Sequence, residues 1–252
     1  MKFFLKLIYL LIPPILFKIF KRKTYQYKFK FKTYREAKKV SRIYFDQNSI
    51  KKFFGPKDVQ VTGRFNLVAL LTLSLNKKYI QILDYGGGAN PVYSYIENST
   101  NIKTFTSVIE TKAFNKIMKK KVPSKYKKFI KYYNSIADLR ERHFDIVCFN
   151  SSIQYVEEYK NVIKNLIKYN PRYFLITRTN FHMGKKNYVV LETGISGSLH
   201  PYIIFSFSNL VNFMKEKKYK LVFSNKYNVN IYKHKTIDSN TFFHKDLIFK
   251  KI

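Results

Sequence analysis

From residue 79 onward, the chain alternates short apolar runs with stretches of helical hydrophobic spacing. The apolar runs cover residues 79–85, 104–109, 129–133, 144–149 and 173–177. The intervening helical stretches cover residues 91–96, 113–121, 136–140 and 159–169. Such alternation favours a mostly parallel sheet, because each helix returns the chain to the same end of the sheet. The pattern therefore predicts an α/β fold with helices on both faces of the sheet.

Beyond residue 200 the pattern changes. Residues 207–217 have helical spacing, and three late apolar runs follow at 221–225, 229–232 and 247–252. Only short connections separate these runs, so we expect the late strands to include a closing antiparallel pair.

Two helices are predicted before the first of these strands. The first spans residues 33–54, with Thr33 as N-cap and Glu36 completing a capping box three residues later. Gly55 and Pro56 end it. The second spans residues 65–75, where leucines recur on one side. We expect residues 33–78 to form a helical cap on a domain that spans residues 79–252.

The first 32 residues are apolar and end in a basic flank. Lys6, Pro13, Pro14 and Lys18 interrupt the apolar residues, so the continuous run of about 20 that a spanning helix needs is absent. An apolar segment with nearby lysines is typical of an interfacial anchor on an anionic membrane surface. We predict that residues 1–32 hold a cytoplasmic protein at the inner face of the membrane. The alternative is a helix that packs on the protein's own surface.

The formal charge of +33 does not by itself identify a binding partner. Alone, it favours an anionic partner such as nucleic acid or phospholipid head groups. Lys, Asn, Ile, Phe and Tyr are abundant together, however, as a bias toward A/T-rich codons would produce. Both explanations stay open.

The single cysteine narrows the class of protein. Cys148 by itself excludes an internal disulfide and a multi-cysteine zinc site. It lies within an apolar run, where we expect a buried thiol in a protein of the reducing cytoplasm. No cluster of His, Asp and Glu has the spacing of metal ligands, so no metal is predicted.

The most informative stretch joins the first apolar run to three consecutive glycines. Asp84 and Tyr85 end the run, Gly86, Gly87 and Gly88 follow, and Asn90-Pro91 can start a helix. Glycines let the backbone bend tightly and approach a ligand closely. A dinucleotide site would need glycine at position 91, where this chain has proline. The acidic residue before the loop favours a cationic cofactor instead of a pyrophosphate.

A second carboxylate follows at the end of the next predicted strand. Glu110 lies 22 residues after Gly88, close to the spacing at which a second-strand acid accepts the hydroxyls of an adenosine ribose. Together, the glycine loop and Glu110 predict a nucleoside-containing cofactor.

With the glycine loop, the polar end of the fourth strand resembles class I methyltransferases, and more narrowly a methyltransferase family found with bacterial surface-polysaccharide genes. The resemblance covers most of the chain. Its motifs are Ile12-Pro13-Pro14, a helix with Ala37, Ser41 and Tyr44, the Asp84 to Gly88 loop, Ser151-Ser152-Ile153-Gln154-Tyr155, Pro171-Arg172-Tyr173 and Arg178-Thr179. Asn90 stands where a third glycine is usual.

The resemblance implies a Rossmann-like fold and S-adenosyl-L-methionine (SAM) as cofactor. It implies that Asp84 and the backbone of residues 86–88 cradle the methionyl part, and that Glu110 binds the ribose. It also implies that Ser135 and Ile136 contact the adenine edge, and that Asn150 and Ser151 lie near the methyl donor.

The acceptor side is predicted in the loops after the fourth and fifth strands. Its candidates are Gln154, Tyr155, Arg178, His182, Glu192, His200 and Tyr202. His182, His200 and Tyr155 are candidate proton acceptors. We expect Gln154, Arg178 and Tyr202 to contact substrate, since a guanidinium suits phosphates and carboxylates.

The leading hypothesis is an O-methyltransferase that acts on a sugar, a nucleotide-linked sugar or another activated precursor of a surface glycan, and this substrate class rests on the resemblance. One alternative is an RNA or protein methyltransferase that uses the basic surface. Another is an inactive membrane-associated scaffold. Nucleic acid is not the expected partner, because residues 150–153 lack a planar group for stacking on a flipped base.

Overall fold

The computed structural model describes residues 26–41, 66–88, 96, 100, 102–122, 124–193, 199–227 and 242–252. The strands are β1 (Gln26–Phe31), β2 (Tyr79–Tyr85), β3 (Lys103–Ile109), β4 (Ile130–Tyr133), β5 (Ile146–Asn150), β6 (Tyr173–His182), β7 (Tyr188–Thr193), β8 (Leu199–Ser206), β9 (Tyr219–Tyr227) and β10 (Phe242–Lys251). The helices are α1 (Tyr34–Lys39), α2 (Asn66–Ser74), α3 (Lys112–Lys121), α4 (Tyr159–Ile167) and α5 (Phe207–Glu216).

The main part of the sheet has the strand order β4-β3-β2-β5-β6-β10-β9. The strands from β4 to β6 in this order are parallel to one another. β10 is antiparallel to both of its neighbours, β6 and β9. The predicted mostly parallel α/β sheet is therefore confirmed, and so is the closing antiparallel pair.

Helices cover both faces of this sheet. Alternate residues of β5 illustrate this, since neighbouring side chains along a strand point to opposite faces. Val147 and Phe149 belong to the apolar cluster that includes α4 and α5. Ile146 and Cys148 belong to the cluster that includes α2. Thus α2 packs directly on β2 and β5. The division of the chain into residues 1–32, 33–78 and 79–252 stays a prediction.

Three further strands extend the sheet beyond the end of β6. β8 pairs in parallel with β6 at Phe181 and His182. β7 is antiparallel to β8, and β1 is antiparallel to β7. Helix α1 packs on these strands, with Ala37 buried against Val189, Leu191 and Leu199. This three-strand extension, β1-β7-β8, places β7 and β8 near the turn that follows β5.

The hydrophobic pattern did not predict this extension. The apolar run at 173–177 predicts a fifth strand that ends at residue 177, whereas β6 continues to His182 because β8 and β10 pair with its second half. β1 lies within the segment predicted to be a membrane anchor, and residues 26–31 instead form an edge strand of the sheet.

The capping signal at Thr33 correctly predicted the N-terminus of α1. The Thr33 side chain accepts the N–H of Glu36 at 3.2 Å, as the capping box predicts. The helix ends at Lys39 with Val40 as its C-cap, so the predicted continuous helix over residues 33–54 is wrong. The predicted end at Gly55 and Pro56, the strand at 229–232, the helix start at Asn90 and Pro91, and residues 1–25 lie outside the described residues. In the part of the chain that is described, no helix combines the length and apolar character needed to span a membrane.

Candidate functional site

The loop after β2 turns sharply at the carboxyl end of the sheet. Gly86 has a φ of +71°, which only glycine adopts without strain. Its N–H donates to the carbonyl oxygen of Ile109 on β3 at 2.9 Å. The loop is therefore tied to the neighbouring strand from its first residue.

Side chains crowd this loop from two sides. A Cβ on Gly87 would overlap the carboxylate of Asp84, which is fully buried at the end of β2. A Cβ on Gly86 would lie 2.6 Å from Cβ of Ser152, which follows β5. The Ser152 hydroxyl donates to the carbonyl oxygen of Tyr85 at 2.6 Å. The missing side chains thus let the loop rest between Asp84 and Ser152.

Glu110 borders the same loop from β3. Its Oε1 accepts the N–H of Gly88 at 3.0 Å, and its Oε2 accepts the N–H of Thr111 at 3.0 Å. Its own N–H donates to the carbonyl oxygen of Tyr133 at 3.0 Å. Burial raises the pKa of Glu110, against the lowering effect of these two hydrogen bonds.

Asp84 and Glu110 therefore lie at the same edge of the sheet with the glycine loop between them. In the β2–β3 register, Asp84 is opposite Val108. Both carboxylates affect Tyr132 on β4 electrostatically. Burial raises the pKa of Tyr132, and the negative charges of Asp84 and Glu110 raise it further. Two carboxylates therefore lie at this edge of the sheet, and they suit a ligand with cationic and hydroxyl groups.

Ser135 and Ile136 follow β4 at this edge. Ser135 begins a short 3₁₀ turn (Ile136–Asp138) and its hydroxyl hydrogen-bonds Oδ2 of Asp138 at 3.0 Å. The carbonyl oxygen of Ile136 accepts the Tyr169 hydroxyl at 3.2 Å. Both predicted adenine contacts are half-buried and one turn away from the end of β4.

Asn150 is the last residue of β5, and Ser151 follows it at the same edge of the sheet. The Asn150 side-chain oxygen accepts the Thr177 hydroxyl at 3.1 Å, within the buried core of the sheet. Ser151 has a φ of +58° and donates its N–H to the carbonyl oxygen of Thr177 at 3.0 Å. This turn directs residues 152–155 across the end of the sheet.

A polar group forms where these residues meet the three-strand extension. Gln154 is buried, donates to the Ser151 hydroxyl at 3.1 Å and accepts the Thr179 hydroxyl at 3.4 Å. Tyr155, the last residue of a 3₁₀ turn (Ile153–Tyr155), is 38% exposed. The rings of Tyr202 and His200 stand edge-on to it, with centroids at 5.3 Å and 6.2 Å.

Glu192 of β7 completes this group. The Tyr155 hydroxyl donates a hydrogen bond to Oε2 of Glu192, whose side chain is buried. Burial raises the pKa of Glu192 to about 7, although the Tyr155 hydrogen bond lowers it. Burial also lowers the pKa of His200. The structure thus brings together Gln154, Tyr155, Glu192, His200 and Tyr202 of the predicted acceptor side.

Two predicted acceptor-side residues make their contacts elsewhere. His182 is buried, stacks on Tyr188 at 4.2 Å and accepts the N–H of Gly184 through Nδ1 at 2.9 Å. Burial lowers its pKa, and these contacts are those of a packing residue. Arg178 is exposed and donates its N–H to Asp246 on β10 at 2.7 Å.

Several residues of the site were not singled out from sequence. The Ser152 hydroxyl donates to the carbonyl oxygen of Tyr85, just before the loop, and the Thr179 hydroxyl donates to Gln154. The side chain of Asn180 donates to the Tyr202 hydroxyl at 2.9 Å. Thr179 and Asn180 follow the predicted end of the fifth strand at residue 177. A strand predicted to continue through these residues would have indicated that they belong to the site.

Within the described ranges, no three His, Cys, Asp or Glu residues are grouped as metal ligands would be.

No protein-family model and no curated protein sequence matches the chain. Solved structures with a similar fold include the magnesium protoporphyrin IX methyltransferase of Synechocystis PCC 6803 with bound S-adenosylhomocysteine (SAH). It has a TM-score of 0.57 and 12% identity over 86% of this chain and 100% of that chain. The same enzyme with bound SAM has a TM-score of 0.53 and 14% identity over 86% and 97% of the two chains.

A SAM-dependent methyltransferase from Clostridium acetobutylicum ATCC 824 is also similar, with a TM-score of 0.51 and 11% identity over 81% of this chain and 98% of that chain. At these identities the likeness establishes the fold, which is the Rossmann-like fold that the sequence motifs implied.

Proposed function

We propose that this chain is a SAM-dependent methyltransferase. The observation that carries the proposal is the pair of carboxylates, Asp84 and Glu110, at neighbouring strand ends on either side of a glycine loop. The fold supports it, since the similar structures named above are methyltransferases with SAM or SAH bound in two of the three cases.

The residues at this edge fit the chemistry of SAM. A Cβ at residue 86 or 87 would collide with Ser152 or Asp84, so only glycine lets the loop lie this close to the carboxylate at the end of β2. Asp84 and the backbone of residues 86–88 would hold the methionyl part with its ammonium group. Glu110, with unused acceptor capacity on both oxygens, would bind the ribose hydroxyls.

The adenine would lie against Ser135 and Ile136, and the methyl donor near Asn150 and Ser151. When bound, SAM supplies an electrophilic methyl group on a sulfonium. The chain has to align an acceptor with that group and remove a proton, because alignment provides most of the acceleration of such displacements.

For the acceptor, we propose a hydroxyl of a sugar or of an activated precursor in surface-polysaccharide synthesis. The amide of Gln154 and the hydroxyls of Tyr155 and Tyr202 are the kinds of group that hydrogen-bond sugar hydroxyls. They lie directly beyond Ser151 and Ser152, on the side of the loop opposite Glu110. Location at an anionic membrane surface, through the apolar and basic residues 1–25 that precede β1, remains part of this proposal.

One observation favours a second candidate, a methyltransferase of RNA. A cavity of about 540 Å³ at the outer edge of β4 is lined by Lys119, Lys127, Lys131 and Arg140 together with Tyr132 and Asn134. Lys131 is partly neutralised by Glu141 at 3.4 Å. A basic groove beside the cofactor edge would bind a phosphate backbone with strong salt dependence.

Calorimetry with SAM, SAH and NAD⁺ tests the function. We expect SAM and SAH to bind and NAD⁺ not to bind, and binding of NAD⁺ alone would contradict the proposal. Incubation with SAM labelled on its methyl group and a panel of nucleotide sugars then identifies the acceptor. Binding of SAH without transfer to sugars or RNA would favour the inactive scaffold, and salt-dependent transfer to RNA would favour the second candidate.

A further inference from the structure

A buried carboxylate lies behind an exposed tyrosine at the acceptor side of the site. Glu192 is only 4% exposed, whereas Tyr155, which donates a hydrogen bond to it, is 38% exposed. The two residues come from different elements, the 3₁₀ turn after β5 and strand β7. A buried carboxylate is thus hydrogen-bonded to a side chain that reaches the protein surface.

We infer that Tyr155 and Glu192 form a proton relay that deprotonates the acceptor, with Tyr155 touching the acceptor hydroxyl and Glu192 receiving the proton behind it. This inference rests on the proposed methyltransferase function. It assigns the base to Glu192, which the sequence did not single out from the other acceptor-side candidates, in place of His182.

The relay conserves protons and electrons. The acceptor hydroxyl gives its proton to the phenolic oxygen of Tyr155, and the original Tyr155 proton passes along the existing hydrogen bond to Oε2 of Glu192. The electron pair of the acceptor oxygen forms the new bond to the methyl carbon. The electrons of the breaking carbon–sulfur bond remain on sulfur, and Glu192 later returns its proton to water.

The turn is held so that Tyr155 keeps this position. Its carbonyl oxygen accepts the Tyr34 hydroxyl of α1 at 2.7 Å. The Tyr202 ring stands perpendicular to the Tyr155 ring, which limits its rotation. The turn begins beside Ser152, whose hydroxyl donates to the carbonyl oxygen of Tyr85, the residue before the glycine loop. These contacts hold the phenol four residues along the chain from Ser151, which we place near the methyl donor.

Electrostatics at Glu192 suit a group that must gain and lose a proton near neutral pH. Burial raises its pKa to about 7. The titratable groups that face it are Tyr155 from the turn and His200, its register partner on β8, while β1 places Tyr27 opposite it in register. Neither ion pair found in the described part of the chain involves Glu192. A base with a pKa near the working pH is the most effective one.

By contrast, His182 is enclosed by Tyr188 and Phe242, with Nδ1 bonded to the Gly184 backbone. Glu192, in contrast, is hydrogen-bonded directly to Tyr155 of the acceptor-side group. The geometry therefore favours Glu192 over His182.

Infrared titration and kinetics of Glu192→Gln and Tyr155→Phe test the relay, with the exposed Glu216→Gln as matched control. Infrared difference spectra of the SAH-bound protein should show a buried carboxylic acid that ionises near pH 7. The band should be absent in Glu192→Gln and retained in the control. Its midpoint should rise in Tyr155→Phe, because the hydrogen bond that favours ionisation is lost. A Glu192 that stays ionised from pH 5 to pH 9 overturns the inference.

With the nucleotide-sugar acceptor that the wild type methylates, kcat should fall about a hundredfold in both variants. The acceptor KM and the SAH affinity should stay within about twofold, and the rise of kcat near pH 7 should flatten in Glu192→Gln. An unchanged kcat, or a change confined to KM, overturns the relay. Failure of the wild type to bind SAH contradicts the methyltransferase function itself, so the two failures are distinguishable.

Discussion

The backbone N–H of Gly88 donates a 3.0 Å hydrogen bond to Oε1 of Glu110, across 22 residues of sequence. This bond ties the loop after β2 to the end of β3 and orients the carboxylate that we assign to the ribose. It makes Glu110 both a support of the loop and a candidate ligand group.

We expect Glu110→Gln to weaken SAH binding. The amide has one acceptor oxygen and no charge, so the ribose loses a charge-assisted hydrogen bond worth about 1.5–3 kcal/mol. The dissociation constant for SAH should rise by about 10-fold to 100-fold, as measured by calorimetry. The exposed Glu216→Gln should leave it unchanged, and equal affinity in both variants would exclude Glu110 from the cofactor site.

Gly86→Ala should destabilise the fold. Its φ of +71° costs alanine about 1–2 kcal/mol, and the new Cβ would lie 2.6 Å from Cβ of Ser152. Urea unfolding should show a total loss of about 2–4 kcal/mol. Adding Ser152→Gly should restore the part due to the collision, read as a coupling energy against the two single variants. Simple additivity would show that the two residues do not collide.

Cys148 should resist thiol reagents in the native protein. Its side chain is 1% exposed, and burial raises its pKa well above the usual value, so little thiolate is present. Ellman's reagent should react only after unfolding in denaturant. Rapid reaction in native buffer would mean that the centre of the sheet opens on the timescale of the assay.

Glu192 should make stability fall as pH rises. Burial raises its folded-state pKa from 4.5 to about 7, so the neutral acid is favoured in the folded protein. That contribution is complete below pH 4.5 and is lost as pH rises through 7. At about 1.4 kcal/mol per pKa unit, the loss is on the order of 3 kcal/mol.

Urea unfolding of the wild type and Glu192→Gln between pH 5 and pH 9 measures this effect. The free energy of unfolding of the wild type should fall relative to that of the variant over this range. Burial lowers the pKa values of His182 and His200, which gives both proteins the opposite trend below pH 6.5 and cancels in the difference. A constant difference would mean that Glu192 is ionised throughout.

Much of the fold was predictable because its signals are local. The apolar run that forms β2, the glycines that turn it, and the cap at Thr33 depend on neighbours within a few residues. Asp84 and Glu110 could also be placed, because successive strands of a parallel sheet end at the same edge. The elements missed, β1, β7 and β8, lack that regular alternation with helices.

The residue pattern alone accounts for the alternation of strands and helices, the glycine loop and the two acidic strand ends. Which acceptor-side residues contact one another depends on how the distant strands pair. Glu192 reaches Tyr155 across 37 residues because β7 pairs with β8 and β8 continues the sheet beside β6. His182 packs on Tyr188 instead. Such contacts depend on long-range strand pairing and on which face each side chain takes, and a shift of one residue in register would reverse them.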